Sequence, residues 1–227
     1  GPGMLTFKLS EAAGKVITIE SDPKLARLLQ ERIEQIGKNN IEIVEQDVLE
    51  VDIDHLLNAK GVSEYKVVAN IPYSITSVLL RKLLTLKTKS KVMILMVQKE
   101  VAERILSSAP ASVLSVMVQF YADPQMIRKV SKNYFWPPPK VDSAIIRLKF
   151  RKKALSVNEN LFFNLVRAGF SSRRKMLKNN LISSNNLSSD KIQVILSKAS
   201  IDSCARALDL YVEDWIRLFG FIKKDMI

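Results

Sequence analysis

From Val16 to about Phe150 short β-branched runs alternate with amphipathic helical stretches, and few folds accommodate that order. Such alternation reads as parallel strands joined by crossover helices, a sheet buried between helical layers. Val16-Ile17-Thr18-Ile19 is the first predicted strand. Asp22 followed by Pro23 makes an N-cap and a first helical position, Leu25, Leu28, Leu29, Ile33 and Ile36 mark one helical face, and Gly37 stops the helix. Ile41-Glu42-Ile43-Val44, Lys66 to Ala69 and Val92 to Val97 are further strands. Ser115 to Tyr121 and Ser143 to Phe150 also alternate as strands, separated by a polar loop ending in Tyr134-Phe135-Trp136-Pro137-Pro138-Pro139, and predict an antiparallel hairpin at the sheet edge. After Arg151-Lys152-Lys153 the pattern becomes helical with Ser/Asn-rich connections. The expectation is an α/β, Rossmann-like domain over residues 1–152 and a small all-helical domain over 153–227.

In open α/β sheets ligands bind at the carboxyl ends of the strands, and three polar residues fall there. Glu20 follows the first strand, where a carboxylate suits ribose hydroxyls. Asp47, in Glu45-Gln46-Asp47-Val48, follows the second and can accept from an adenine amino group. Asn70 follows the third. One acid at a strand end is ordinarily a solvated loop or cap residue. Three in register point to a nucleotide-like cofactor, and S-adenosylmethionine fits better than NAD because an Asn-x-Pro-Tyr turn has no role in hydride transfer.

That turn, Asn70-Ile71-Pro72-Tyr73, has the parts needed to methylate an exocyclic amine. Such a nitrogen is a poor nucleophile because its lone pair is delocalised into the base. The Asn70 side-chain oxygen and the Ile71 carbonyl can each accept one amine hydrogen and draw the nitrogen towards a pyramidal geometry. Pro72 stiffens the turn. Tyr73 offers a face for a flipped base and a π cloud that steadies the incoming positive charge. The same four residues also make an ordinary strand-ending turn.

With 227 residues, 47% of them hydrophobic, the chain can bury a sizeable core, and a formal net charge of +12 calls for a polyanionic partner, nucleic acid before anionic membrane. No apolar run approaches a membrane span. The single cysteine, Cys204, leaves no internal disulfide and suits a reducing cytosol. The single histidine, His55, reads as a surface or helix-start residue. Without a Cys or His cluster no zinc site is expected, although carboxylates alone can hold Mg²⁺. Ser171-Ser172-Arg173-Arg174-Lys175 with Lys178 reads as the opening of a helix. A cationic first turn opposes the helix dipole, a hint of phosphate binding. With Arg151, Lys152, Lys153 and Lys140 these residues predict a basic surface around the pocket mouth that positions RNA without reading its sequence.

The chain resembles the KsgA/Dim family of small-subunit rRNA adenine N6-dimethyltransferases. The resemblance rests on Gly3-Met4-Leu5-Thr6, Val16 to Asp22, Asn70 to Tyr73, Met96 to Ala102, Leu114 to Gln119, Phe135 to Ala144, Ser172 to Leu181 and Arg206 to Leu210. It implies that Gly1, Gly3, Glu20, Asp47, Val48 and Asn70 contact S-adenosylmethionine, that Asn70 to Tyr73 hold the target adenine, and that Phe135 forms a second stacking wall. It further implies immature small ribosomal subunits as partner; a cytoplasmic location, a monomer and no metal are also expected. Related 23S rRNA methyltransferases share the Asn-x-Pro-Tyr turn but are not expected to carry the Arg-Arg-Lys segment. Family members carry a first, central strand ahead of the glycine loop, so a chain starting at Gly1-Pro2-Gly3, whether loop remnant or tag, is expected to be a fragment with an incomplete cofactor half. Two other readings are a non-catalytic ribosome-assembly or nucleic-acid-binding factor and a DNA amino-methyltransferase.

Overall fold

The computed structural model describes residues 2–151, 157–185 and 188–223. The chain forms two compact units, residues 1–63 and 64–227.

The first unit runs α1 (Met4–Ala12), β1 (Val16–Glu20), α2 (Pro23–Ile36), β2 (Ile41–Glu45) and α3 (Ile53–Ala59). β1 and β2 pair in parallel, Val16 opposite Ile41 through Glu20 opposite Glu45. The caps of α2 are those predicted: Asp22 accepts from the Lys24 amide at 2.8 Å, Pro23 opens the helix and Gly37 closes it at φ 70°. Only a left-handed residue can end it so, which favours glycine there. Ala26, Leu29 and Ile33 are the buried stripe, while Leu28 and Ile36, predicted to lie on that face, are exposed. His55 sits exposed in the first turn of α3, as a helix-start residue should.

The second unit begins with β3 (Lys66–Asn70), a 3₁₀ turn over Tyr73–Ile75, α4 (Thr76–Thr85), β4 (Val92–Gln98), α5 (Lys99–Leu106) and α6 (Val113–Tyr121). Then come β5 (Ala122–Val130), β6 (Ser143–Phe150) and four helices, α7 (Glu159–Gly169), α8 (Leu177–Asn185), α9 (Ser189–Lys198) and α10 (Val212–Ile222). Its sheet has the order β3-β4-β6-β5; β3 and β4 are parallel, and β6 runs antiparallel to both β4 and β5. Among the described residues, β1 and β3 each pair along one edge only. Met93, Leu95 and Val97 of β4 face Ala144, Ile146 and Leu148 of β6 across the ladder, all wholly buried.

Two predicted elements are corrected. Ser115 to Tyr121 belongs to a helix, not a strand. Ser112 caps it by accepting from the Ser115 amide. Ser115, Val116, Met117, Val118, Phe120 and Tyr121 are all buried, so no polar face reveals the helical period. The true partner of β6 is β5, Ala122–Val130, hidden inside the predicted polar loop. Its charges and Pro124 are tolerated because β5 lies at the sheet edge. The β5–β6 register slips by one between Met126, opposite Ile146, and Arg128, opposite Ile145, a bulge that leaves Ile127 half exposed.

The helices after residue 157 pack within the same unit as the four-stranded sheet. Phe162 of α7 stacks on Phe120 of α6 at 4.8 Å and meets Phe219 of α10 edge-on at 5.7 Å. Trp215 lies against Gly169, where a Cβ would come within 2.9 Å of the Leu177 side chain and closer still to the indole. Only glycine fits that helix crossing.

Candidate active site

In the first unit Gly3 caps α1 at φ 85°, and no side chain caps the helix. A Cβ at Gly3 would lie 2.5 Å from Leu29 Cδ1, so glycine is required both by its dihedral and by the close approach of α2. The uncapped amides of α1 are free to meet polar ligand groups. Gly3→Ala is expected to destabilise the fold by about 1–3 kcal/mol, read as a lowered midpoint in thermal unfolding. Glu20 ends β1, and its carboxylate accepts from the Asp22 amide at 3.1 Å. Burial pushes the Glu20 carboxyl up, but hydrogen bonds, among them those from the Asp22 and Ser21 amides, more than offset it and hold the group below the ordinary glutamate value. It is therefore charged at neutral pH, as an acceptor for hydroxyls must be. Asp47 follows β2 at the same end of the pair, where the Gln46 amide donates to the Glu20 carbonyl at 3.1 Å. One Asp47 oxygen accepts from the Leu49 amide at 2.8 Å, and Val48 beside it is half-buried. Gly1 lies outside the described residues.

In the second unit Asn70 is the last residue of β3 and is exposed. No described residue donates a hydrogen bond to its side chain. Ile71 is 1% exposed, and its amide donates to the Met96 carbonyl at 3.3 Å, which fixes the turn to β4. The Ile71 carbonyl accepts from no described residue. The Asn70 side chain and the Ile71 carbonyl are thus neighbouring acceptors at the strand end, neither engaged by a described donor. The Pro72 carbonyl, by contrast, is fully used, accepting from the Ile75 amide at 3.1 Å and the Thr76 hydroxyl at 3.3 Å.

Tyr73 is half-buried, and its phenol shares a 2.7 Å hydrogen bond with the Ser143 hydroxyl. Ser143 is wholly buried at the start of β6, opposite both Gln98 and Val130. The ends of β3 and β4, the neck of the β5–β6 hairpin and the Tyr73 ring thus meet at one end of the sheet. Phe135 rides on the hairpin loop, half-buried, and its amide donates to the Lys132 carbonyl at 3.2 Å. Asp142 clamps the loop base, its side chain accepting from the Lys132 amide at 3.0 Å and its carbonyl from the Lys99 amide at 3.0 Å. Trp136, next in the chain, is 95% exposed.

Sequence reasoning assigned no role to Ser143. Its partner lies 70 residues away, so no local spacing could have found the pair. Ser143→Ala and Tyr73→Phe are each expected to slow methyl transfer about 2- to 10-fold, and the double variant no more than either, since both remove one hydrogen bond. Single-turnover rates of the three variants check this.

The predicted basic surface is redistributed. Lys140 is exposed on the hairpin loop. Arg151 does not lie at the pocket mouth, because it follows the far end of β6, roughly 26 Å from Ser143 at about 3.3 Å per residue. Its guanidinium pairs with Asp123 at 3.1 Å. Lys152 and Lys153 lie outside the described residues. Arg173, Arg174 and Lys175 are exposed in a turn before α8 rather than within its first turn. The buried Asn180 amide holds that turn by donating to the Gly169 carbonyl at 2.6 Å and the Ser172 carbonyl at 2.9 Å. Lys178, half-buried, lies in the first turn of α8. Among the described residues no cluster of three potential metal ligands occurs, and no helix is long and apolar enough to cross a membrane.

Strand-end carboxylates in the first unit and an Asn-Ile-Pro-Tyr turn in the second are the features expected of an α/β amino-methyltransferase. The chain belongs to the ribosomal RNA adenine dimethylase family, whose model matches residues 1–224. It is 38% identical over 221 residues to the ribosomal RNA small subunit methyltransferase A of Dehalococcoides mccartyi strain BAV1, spanning 96% of this chain and 75% of that protein. To the protein of the same name from Clostridium botulinum strain Kyoto it is 39% identical over 223 residues, spanning 96% of this chain and 79% of that one. Among solved structures, a dimethyladenosine transferase from Plasmodium falciparum superposes with TM-score 0.84 at 28% identity, covering 100% of this chain and 88% of that one. The 23S rRNA methyltransferase ErmE does so with TM-score 0.75 at 28% identity, covering 98% and 88%. The chain is thus an rRNA adenine dimethyltransferase, with S-adenosylmethionine as methyl donor.

Proposed function

We propose that this chain places two methyl groups on N6 of each of two adjacent adenines near the 3′ end of small-subunit rRNA, acting on immature small subunits in the cytoplasm. The pair of unmet acceptors at Asn70 and Ile71 carries the reading, and the names of the bacterial relatives support the small-subunit target. The family match favours turnover over an assembly factor without it.

The residues of the first unit fit S-adenosylmethionine. Gly3 keeps the α1 N-terminus clear of side chain, Glu20 is charged and offers acceptors for hydroxyls, and Asp47 has a second oxygen for an amino group. When bound, the cofactor supplies an electrophilic methyl group on a sulfonium. The work of the chain is to make N6 able to attack. Asn70 Oδ1 and the Ile71 carbonyl accept the two amine hydrogens, which localises the lone pair on nitrogen and aims it away from both acceptors. Tyr73, steadied by Ser143, and Phe135 sandwich the flipped adenine and exclude water. Attack leaves N6 cationic with both hydrogens and the spent sulfonium a neutral thioether; one proton is then released to solvent, and one acceptor suffices to hold the single remaining hydrogen for the second transfer. Arg173, Arg174, Lys175, Lys178 and Lys140 bind phosphates and set position only.

The test is methylation of immature small subunits with methyl-labelled S-adenosylmethionine, followed by nuclease mapping. Label on two neighbouring dimethyladenosines near the 3′ end is expected. Label confined to large-subunit rRNA would overturn the proposed target.

A further inference from the structure

We propose that Trp136 and Tyr134 form an outer stacking platform for the unpaired nucleotides flanking the target adenines. The proposal rests on the rRNA reading above and extends it to RNA that is not itself methylated. Trp136 and Tyr134, at 95% and 84% exposure, are the most exposed large hydrophobic residues described. Both are held out in water on a loop carrying three consecutive prolines, which restrict the backbone and lower the ordering cost of binding.

The geometry separates these two rings from Phe135. Phe135 is extended, at φ −117° and ψ 150°, directly after a 3₁₀ turn over Lys132–Tyr134. Phe135 is the half-buried one, and its two neighbours face solvent. The loop springs from the Val130/Ser143 neck, and Ser143 is the residue that holds Tyr73. RNA whose adenine enters beside Tyr73 must therefore pass this loop. Exposed Lys132 and Lys140 flank the rings on the same loop. Aromatic rings interleaved with cations are how proteins hold single strands irrespective of sequence, since every base has a π face and every nucleotide a phosphate. A duplex offers no free base face and is not a ligand for such rings.

The two tryptophans make this measurable. Trp215 is wholly buried, so a change in indole emission on adding RNA reports Trp136. The full chain is titrated with an oligoribonucleotide carrying two adjacent adenines among unpaired nucleotides, and with the same sequence closed into a duplex. Quenching is expected with the single strand and little with the duplex. Trp136→Ala should abolish the quench and weaken single-strand binding, measured by anisotropy of labelled RNA, about fivefold or more. Trp136→Phe, which keeps a ring, should stay within about threefold of the parent chain. Tyr134→Ala, with Trp136 still present, should weaken binding while the residual quench remains.

Binding unchanged in Trp136→Ala overturns the proposal, as does equal loss in the alanine and phenylalanine variants. A defect seen only with assembled particles, and never with naked single strands, also overturns it and assigns the rings to a protein partner. Methylation of the proposed adenines without any quench refutes the platform alone. A Trp136-dependent quench in a chain that methylates no rRNA refutes the dimethylation reading alone.

Discussion

Asn70→Ala is expected to lower the rate of methyl transfer by about 10²–10³-fold, the scale of losing one preorganised hydrogen-bonding group at a reacting centre. The adenine amine must be pyramidal to attack. With one acceptor gone, one N–H is left to the ring's conjugation and the lone pair stays in the π system. Asn70 is exposed and its side chain touches no described donor, so the substitution should leave stability within about 0.5 kcal/mol. Single-turnover methylation and thermal unfolding of the same preparation make the check. A variant that folds and methylates at the parent rate would remove Asn70 from the chemistry.

The largest expected effect on stability is that of Phe162→Ala, about 3–5 kcal/mol. Phe162 is wholly buried, stacked on Phe120 at 4.8 Å and edge-on to Phe163 at 5.1 Å and Phe219 at 5.7 Å. Truncation leaves a void where α6, α7 and α10 meet, in a cluster too rigid to collapse into it. The unfolding midpoint should fall by roughly 6–20 °C for a chain of this size. Below the lowered midpoint the methylation rate should stay near that of the parent chain, since Phe162 lies outside the turn proposed to hold the base. A large loss of rate in the folded variant would show that the aromatic cluster also supports the site.

The parts of the fold written locally were legible. Asp22-Pro23 and Gly37 announce α2, and the β-branched runs announce β1 to β4 and β6. The errors share one cause, that period and composition report burial and not partner. Val113 to Tyr121 is helical yet apolar on nearly every side, and the Ser112 cap was the overlooked signal. Ala122 to Val130 is polar because one edge meets solvent, so a strand passed for a loop. The site divides the same way. Asn70 to Tyr73 are contiguous, so the turn proposed to hold the base could be read as one stretch. Ser143, which steadies Tyr73, joins it only through folding. Arg151 follows Ser143 closely in sequence, but the run of β6 carries it to the other end of the sheet.

The bulge at Ile127 bears on how such a loop can diverge. Had β5 run straight from Met126, Lys129 instead of Val130 would stand opposite Ser143, and the loop would enter its turn one residue out of step. That slip would shift the 3₁₀ turn Lys132–Tyr134, and the rings after it, relative to Ser143 and its partner Tyr73. Deleting one residue from β5 is thus a change of phase at the loop's entry, and it can displace the loop's aromatics while Asn70 to Tyr73 stay where they are.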